Sequence, residues 1–537
     1  MSSEPVHLDG RSLTRAQLVA VARGAGVELD AGALRDVARA AEFLAGKLAQ
    51  GEPIYGVSTG FGSNADKLLA GAGHPLRDPA GGSESIYARL QRNLIETHAV
   101  CVGDPFAPEV VRAMLCIRIN TLLRGHSGIR VETVQALTAM LNAGIVPVVP
   151  QLGSVGASGD LAPLSHLAIV LLGGGEAFFA GERLPGGEAL SRAGLQPVTL
   201  TIKEGLALNN GTAQMLATGV LALEKLEALL DTADLAAAMT IDAFAGRLGA
   251  FAEEVHALRP HPGQVHVAAR LRALLDGSTL ADIPYARVPG KKVQPQDSYS
   301  LRCVPQVHGA VRDAVAQAAR VLEIELNAVT DNPLVFPDAD DARLDRQVIS
   351  AGHFHGMPLA LAMSYVKAAI PVLASISERR LNKLVDPATS DGLPAFLVGN
   401  EDGTESGFMI VQYTAAAIVN DLATRAMPAS VYSIPTSANA EDHVSMGANE
   451  ARHVLAMADD LGKVLALELM TAAQALDLRL RMVQGEAEPG RAVAAAHAAI
   501  RERIAFLAHD RALDRDVRTA LELVADGSVL AAALAVG

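Results

Sequence analysis

The segment GSVGASGDLAPL, residues 153–164, joins closely spaced small residues to the start of an apolar, helix-compatible run. At its centre lies Ala157-Ser158-Gly159. Attack of the Gly159 amide nitrogen on the Ala157 carbonyl carbon would close a five-membered ring. Loss of two waters, one involving the Ser158 hydroxyl, would then leave an exocyclic methylidene. Because glycine permits the sharp bend and close backbone approach that this chemistry needs, the segment predicts a self-made electrophile.

The same residues fit other interpretations. Gly153, Gly156 and Gly159 would suit a phosphate-binding turn, but their spacing is not G-x-G-x-x-G. Ser158 would suit a hydrolase nucleophile, but Asp160 stands where a G-x-S-x-G elbow needs its last glycine. An ordinary Gly/Ser turn ahead of a helix stays open on spacing alone.

The longer segment GSVGASGDLAPLSH (153–166) resembles the signature of the aromatic amino-acid ammonia-lyase family. Its members carry a 4-methylideneimidazol-5-one (MIO) group; they include histidine, tyrosine and phenylalanine ammonia-lyases and 2,3-aminomutases. Further segments resemble family motifs in family order: YGVSTGFG (55–62), LALNNGT (206–212), RPHPGQ (259–264), QDSYSLRC (296–303), ELNAVTDNP (325–333), SGFM (406–409) and TSANAEDHVSMG (436–447). The resemblance spans nearly the whole chain and is closest to the histidine enzymes.

The resemblance implies a mainly α fold, a long-helix bundle with minor β content, assembled as a homotetramer whose active sites are each built from three subunits. Apolar periodicity independently indicates long helices around residues 216–230, 307–328, 358–384, 406–426 and 447–482. We expect an N-terminal domain with the MIO segment (1–200), a central helix bundle (201–485) and a C-terminal helical segment (486–537).

Composition limits the classes of partner. A net charge of −14, with Lys and Arg scattered, argues against nucleic acid. The 50% hydrophobic and 19% charged content suggests apolar area buried between subunits. The three cysteines lack C-x-x-C spacing, no zinc-like ligand set or nucleotide fingerprint is present, and no signal peptide is evident. The apolar stretch 358–376 contains Lys367 and Pro371, which favours a buried helix over a membrane span. We therefore expect a cytoplasmic protein that uses neither metal nor nucleotide and binds no membrane.

Between Gly62 and Leu90, the part from Asn64 to Ser85 is rich in Gly, Ala, Pro, Asp and Ser and has few periodic apolar positions. This composition predicts a long loop. Beside a reactive site, such a loop is a candidate lid that excludes water and carries a catalytic group such as Tyr55. A disordered surface loop is the alternative.

Catalytic roles follow from the matching motifs. Tyr55 matches the family's catalytic base, a task for which a phenol of pKa near 10 needs a lowered pKa. Tyr299 matches the tyrosine that touches the MIO group, and Arg302 matches the arginine that clamps the substrate carboxylate, a task suited to a bidentate donor. Gln296 begins the same motif and is assigned to substrate binding with Arg302.

Asn210 matches the asparagine near the MIO carbonyl and the substrate carboxylate, and Phe354 matches an aromatic residue beside the prosthetic group. The pair Thr97-His98 resembles the Ser-His pair of histidine ammonia-lyases. Glu441 stands where those enzymes have glutamate and the phenylalanine and tyrosine enzymes have glutamine. A histidine and a carboxylate can hydrogen-bond an imidazole ring or an ammonium group, so both positions favour L-histidine, converted to trans-urocanate and ammonia.

Departures from the family pattern keep other substrates open. Ala440, His353 and Met357 replace residues that are common at these positions in the histidine enzymes. A tyrosine or phenylalanine ammonia-lyase, an MIO-dependent 2,3-aminomutase, or an enzyme for an altered imidazole are the alternatives. A non-catalytic helical scaffold is a more remote one, and it predicts no dehydration at Ser158.

Overall fold

The computed structural model describes residues 4–62, 85–341, 343–398 and 403–536. The chain divides into two compact units. The first unit comprises Met1–Leu221, Ala319–Ser364 and Ala429–Arg452; the second comprises Ala222–Ala318, Tyr365–Pro428 and His453–Gly537. The sequence-based division at residues 200 and 485 stays a prediction. Of the predicted lid loop, residues 64–84 lie outside the described residues.

The elements are numbered in chain order. The helices are α1 (Arg15–Ala22), α2 (Ala31–Ala49), α3 (Ile86–His98), α4 (Pro108–Leu122), α5 (Val131–Asn142), α6 (Leu161–Leu171), α7 (Gly186–Arg192), α8 (Glu204–Asn209), α9 (Ala213–Ala243), α10 (Glu253–Ala257), α11 (Pro262–Leu274), α12 (Tyr299–Arg302), α13 (Val304–Glu325), α14 (Leu344–Gln347), α15 (Met357–Val385), α16 (Met409–Arg425), α17 (Gly447–Met482), α18 (Arg491–Arg503), α19 (Asp514–Ala525) and α20 (Ser528–Leu534). The strands are β1 (Val6–Leu8), β2 (Val27–Leu29), β3 (Val102–Pro105), β4 (Val146–Pro147), β5 (Pro150–Leu152), β6 (Glu176–Phe179), β7 (Glu182–Pro185), β8 (Leu334–Val335) and β9 (Val348–Ile349).

The predicted mainly α fold is confirmed. Each long apolar stripe in the sequence corresponds to a helix: α9, α13, α15, α16 and α17. Helix α6 follows the glycine-rich segment where the apolar run predicted a helix. Most strands were not predicted, because segments of two to four residues are too short to show alternation.

The strands of the first unit form small separate sheets. Strands β1 and β2 pair in parallel, β3 with β5 and β8 with β9 pair antiparallel, and β4, β6 and β7 form an antiparallel sheet in that order. Helix α4 is buried on every side from Val110 to Leu122. A helix without a polar face belongs to the interior of its unit, so its polar residues, Arg118 among them, must find partners there.

Capping fixes where the helices of the first unit begin. The Asp30 side chain accepts a hydrogen bond from the Ala33 amide at 2.8 Å and starts α2. The Ser85 hydroxyl accepts one from the Ala88 amide at 3.1 Å and starts α3. Such caps satisfy amides that have no partner within the helix. Helix α3 then runs from Ile86 to His98, which places His98 in its last turn.

The second unit is a bundle with a continuous apolar core. Its buried residues come from α9, α11, α15, α17 and α18, among others. Among the described residues, one helix, α15, is long and apolar enough to cross a membrane, and 56% of its most apolar stretch is buried inside the protein. This is the buried helix predicted for the apolar stretch, with Pro371 inside it.

Asp242 of α9 makes the stability of the second unit depend on pH. Burial raises the pKa of its carboxyl to about 6, against opposing hydrogen bonds from the Ser278 hydroxyl and the Gly490 amide. The folded state therefore holds this proton more tightly, and the resulting stability is lost as pH rises through about 6. As pH rises from about 4 to about 7, we expect the free energy of unfolding of the parent chain to fall by about 2–3 kcal/mol relative to that of Asp242→Asn. Urea unfolding at each pH measures both.

Asp526→Asn is a control for which the change of stability with pH has the opposite sign. Hydrogen bonds from Ser528 lower the pKa of Asp526, so its contribution is lost as pH falls. Parallel pH profiles for the parent and Asp242→Asn would contradict the prediction.

Candidate active site

A cleft of about 620 Å³ in the first unit gathers most of the predicted site residues. It is lined by Tyr55, His98, Ser158, Asn210, Phe354 and Glu441, together with apolar side chains such as Leu90 and Leu206. These residues come from sequence positions nearly four hundred apart, so the cleft is a product of tertiary folding. A second cleft of the same unit, about 430 Å³, is lined by arginines and aspartates and contains none of the predicted residues.

The reactive segment is held by a backbone contact with Gly211. The Gly211 amide donates to the Ser158 carbonyl at 3.3 Å, and the Asp160 amide donates to the Gly211 carbonyl at 2.7 Å. Gly159 has φ +73°, and a Cβ atom there would lie 2.1 Å from the Gly211 carbonyl oxygen. Only glycine fits this approach, as the sequence predicted from the chemistry.

Hydrogen bonding leaves free the groups that ring closure would consume. The Val155 carbonyl accepts from the Met446 amide at 2.9 Å, and the Gly156 carbonyl accepts from the Ser445 hydroxyl at 2.8 Å. Within the described residues, the Ala157 carbonyl and the amides of Ser158 and Gly159 have no hydrogen-bond partner. The flanking backbone is thus anchored, while the reacting atoms stay available.

Asp160 ties this segment to the start of α9. Its carboxylate accepts from the Gln214 and Met215 amides at 2.9 and 3.0 Å and from the Ser154 hydroxyl at 2.7 Å. Burial raises the pKa of Asp160 to about 6, although these hydrogen bonds oppose the shift. The amides at the N-terminus of a helix are a natural partner for such a carboxylate.

Glu441 holds the Ser158 side chain. The Ser158 hydroxyl donates to Glu441 Oε1 at 2.5 Å, and the Thr436 hydroxyl donates to Oε2 at 2.8 Å. Between Thr436 and Glu441, the non-glycine residues Ser437, Ala438 and Asn439 have φ of 52°, 51° and 67°. Residues in this left-handed region cost free energy and concentrate at functional sites. The strained turn places the Glu441 carboxylate against the reactive serine.

Tyr55 lies in the same cleft. Its phenol oxygen accepts a hydrogen bond from the Gly62 amide at 3.1 Å, and its ring packs edge-on against Phe61 with centroids 6.5 Å apart. An amide donor stabilises a phenol oxygen increasingly as that oxygen gains negative charge. This environment suits a group that must pass its proton on and take one up.

Asn210 offers an unused acceptor. It is 3% exposed, and among the described residues its side-chain oxygen has no hydrogen-bond donor. Buried polar atoms without partners are uncommon in folded proteins. A donor group on a bound ligand, or on a group formed in the cleft, would satisfy it. Phe354 supplies an apolar wall to the same cleft.

His98 is oriented by its neighbour in the chain. The Thr97 hydroxyl lies 3.1 Å from His98 Nδ1 and also donates to the Asn93 carbonyl at 2.7 Å. Burial lowers the pKa of His98, although its hydrogen bond to Leu94 and the charge of Glu441 oppose the shift. A neutral imidazole with one nitrogen engaged can offer the other to a ligand in the cleft.

Gln296, Tyr299 and Arg302 do not line this cleft. They belong to the second unit, where Tyr299 is 71% exposed and lines a different groove with Pro371 and Val372. The Arg302 guanidinium stacks on the Tyr299 ring at 4.8 Å, and its Nε is buried without a partner in the described ranges. The roles assigned to these three residues stay predictions.

Some lining residues were not singled out from the sequence. Asn332 lies in the ELNAVTDNP segment, so the motif could have indicated it; its side chain accepts from the Ala351 amide at 2.8 Å. Ser437 enters the cleft through the left-handed turn, which no sequence pattern indicates. Among the described residues, no group of three or more His, Cys, Asp and Glu side chains is arranged to hold a metal ion.

A mainly helical fold with this cleft at Ser158 is that of the aromatic amino-acid ammonia-lyases and aminomutases. Residues 13–502 match the family described as aromatic amino acid lyase, and the chain belongs to that family. It is 50% identical over 528 residues to a histidine ammonia-lyase of Symbiobacterium thermophilum, with 98% of each chain covered.

Solved structures of ammonia-lyases and aminomutases match the fold of this chain. A tyrosine aminomutase from Streptomyces globisporus matches with a TM-score of 0.88 and 35% identity, covering 99% of both chains. A histidine ammonia-lyase from Trypanosoma cruzi matches with a TM-score of 0.85 and 36% identity, covering 98% of this chain and 95% of the other. The resemblance recognised in the sequence is thereby confirmed.

The contact between Gly159 and Gly211 predicts a specific stability cost. We expect Gly159→Ala to destabilise the protein by at least about 1–3 kcal/mol more than Gly181→Ala, because overpacking is added to the backbone strain. Gly181 has a similar φ of +84° but open space where a Cβ would lie, so the strain cancels in the comparison. Urea unfolding of both variants measures the difference. Equal losses would show that the backbone approach is not tight.

Proposed function

We propose that this protein is a histidine ammonia-lyase that converts L-histidine to trans-urocanate and ammonia, using an MIO group made from Ala157-Ser158-Gly159. The observation that carries the proposal is the cleft that Ser158 lines together with His98 and Glu441, with the unbonded backbone groups of the tripeptide directly beside Ser158 in the chain. The 50% identical relative, named histidine ammonia-lyase, supports the same reaction.

The tripeptide can form the group from its own atoms. The Gly159 nitrogen bonds to the Ala157 carbonyl carbon, and its proton passes to the carbonyl oxygen. That oxygen leaves as water with the Ser158 amide proton, which gives a C=N bond. The Ser158 hydroxyl then leaves as a second water with the Ser158 α-proton, which gives the methylidene. No oxidant is needed. The residues present fit the group because the Ala157 carbonyl and the amides of Ser158 and Gly159 have no partner among the described residues, and Gly159 leaves no space for a side chain.

Once formed, the MIO group would supply an electrophilic carbon that activates the substrate for elimination, through either its amine or its aromatic ring. The chain's own residues do the remaining work. Tyr55 takes the β-proton as general base, a role that requires only hydrogen-bond reach and a suitable proton affinity. The side-chain NH2 of Asn210 can donate to the substrate carboxylate, and its free oxygen can accept from the substrate ammonium group.

His98 and Glu441 select the imidazole ring and the amine. They lie in the same cleft, and the charge of Glu441 reaches the His98 ring. A neutral histidine and a carboxylate offer an acceptor to an imidazole N–H or an ammonium group, which an apolar pair cannot do. This is the chemical reason for preferring histidine over phenylalanine.

In this proposal the protein is a homotetramer in the cytoplasm, and partner subunits complete each active site. Arg302 would clamp the substrate carboxylate from another subunit, with Gln296 and Tyr299 beside it. The second unit exposes large apolar side chains that a monomer would leave in water: Tyr299, Tyr365, Val372, Ile410 and Tyr413. The Arg302 guanidinium, stacked on the exposed Tyr299 ring, is a planar donor suited to a carboxylate.

Mass and absorbance test the proposal together. The intact parent chain should weigh less than its sequence by two waters, and Ser158→Ala should show no such deficit. Incubated with single amino acids, the parent should release urocanate from L-histidine, followed by ultraviolet absorbance. Cinnamate or coumarate instead would reassign the substrate, a β-amino acid would indicate an aminomutase, and an undehydrated parent would favour the scaffold.

A substitution in the ring-binding pair tests the specificity. We expect His98→Leu to lower kcat/KM for L-histidine at least about 100-fold, because the substrate ring loses its polar partner. Glu109→Gln, in the first turn of α4 and outside the cleft, is the control that should keep the parental value. Steady-state kinetics with histidine, tyrosine and phenylalanine gives both comparisons. An unchanged ratio of histidine to phenylalanine turnover would remove His98 from substrate selection.

A further inference from the structure

Arg118 is a fully buried cation directed at the backbone behind the reactive tripeptide. It lies in α4 with 1% of its surface exposed. Its Nη1 donates to the Asn210 carbonyl and, at 3.1 Å, to the Thr330 carbonyl. A Cβ on Gly211 would lie 2.5 Å from the same nitrogen. The guanidinium is therefore pressed against the Asn210–Gly211 peptide.

That peptide connects Arg118 to Ser158. The Asn210 carbonyl and the Gly211 amide belong to one peptide group, and the Gly211 amide donates to the Ser158 carbonyl at 3.3 Å. Hydrogen bonds in such a chain polarise one another, and a charged donor at its head strengthens the next link. The positive charge of Arg118 thus withdraws electron density from the Ser158 carbonyl through one intervening peptide.

Within the part of the chain that the structure describes, Arg118 forms no ion pair of its own. The nearby Asp331 is engaged by Lys203 at 2.7 Å, with both side chains fully buried. Burial lowers the pKa of Arg118 to about 10, with Asp331 opposing the shift, so the side chain is still charged at neutral pH. Its Nε and Nη2 have no partner among the described residues. Burying a cation is costly unless acceptors compensate it, and here those acceptors are the backbone carbonyls of Asn210 and Thr330.

We propose that Arg118 is a positioning residue that polarises the Ser158 carbonyl through the Asn210–Gly211 peptide and so promotes both formation and reactivity of the electrophile. This inference rests on the proposed function. The Ser158 carbonyl is conjugated with the Gly159 nitrogen, so its polarisation eases loss of the Gly159 proton during ring closure. After dehydration, the same carbonyl is conjugated with the methylidene, and its polarisation makes the terminal carbon a better acceptor.

A purely structural role is the competing explanation, and Arg479 provides the matched control. Arg479 is also fully buried, donates to the backbone carbonyls of Ala243, Ser390 and Asp391, and has its pKa lowered by burial to about 10. It belongs to the second unit and lines no described cleft. Loss of either arginine removes a buried cation and its carbonyl contacts, but only Arg118 connects to Ser158.

The experiment compares R118Q, R118K, R479Q and R479K in the full chain. Freshly translated protein is followed by intact mass for loss of two waters, and the purified, dehydrated proteins are treated with 2-mercaptoethanol to measure thiol addition by mass. Melting temperatures are recorded for all variants. We expect R118Q to slow dehydration and thiol addition by about tenfold or more, the size expected for losing a hydrogen bond from a charged group.

The other variants distinguish an effect of the Arg118 charge on Ser158 from a general loss of protein stability. R118K keeps the charge on a shorter side chain and should fall between R118Q and the parent. R479Q and R479K should lower the melting temperature yet dehydrate and add thiol at parental rates. Parental rates in folded R118Q would overturn the inference. If R118Q is insoluble, R118M replaces it as the uncharged variant, and parental rates in R118M would overturn the inference. A parent chain that never loses water would refute the proposed function instead.

Discussion

The approach of the Gly159 and Gly211 backbones is the constraint on which the first unit depends. A Cβ on Gly159 would meet the Gly211 carbonyl, and a Cβ on Gly211 would meet Thr330 and Arg118, so neither residue can carry a side chain. The neighbouring amides and carbonyls must be paired inside the protein. Asp160 meets the amides that open α9, and the Gly211 peptide lies between Ser158 and the buried Arg118. Helix α6 begins just after Gly159, helix α9 begins just after Gly211, and helix α4 reaches the contact through Arg118. The same geometry that holds the fold together leaves the reacting atoms unpaired.

Three local free-energy costs lie around the cleft. The left-handed turn at Ser437–Asn439, the unpaired Asn210 oxygen and the buried Asp160 carboxyl would each be unfavourable alone. The second unit shows another design, in which long helices bury a continuous apolar core and Arg380 pairs with Glu468 inside it. Sites commonly depart from local rules while the scaffold obeys them. Here the scaffold helices are regular and the turns between them carry the chemistry.

Much of this arrangement was readable from the sequence. Helical periodicity indicated α9, α13, α15, α16 and α17, because 3.6-residue repeats over many turns leave a clear pattern. The motifs indicated Tyr55, His98 and Glu441, which share one cleft. The short strands left no pattern, and no motif singled out Arg118. Its role depends on contacts with residues 92 and 212 positions away in the chain, which no local pattern encodes.

The assembly of the first unit from separated stretches of chain sets a schedule for its maturation. The partner of the Ser158 hydroxyl, Glu441, is 283 positions further along. A ribosome must therefore release most of the polypeptide before the reactive serine meets this carboxylate, although domains usually begin folding from their N-terminal side during synthesis. Under the proposed function, the tripeptide therefore stays an ordinary peptide through most of translation. Its dehydration is then a late event, completed inside a nearly finished fold.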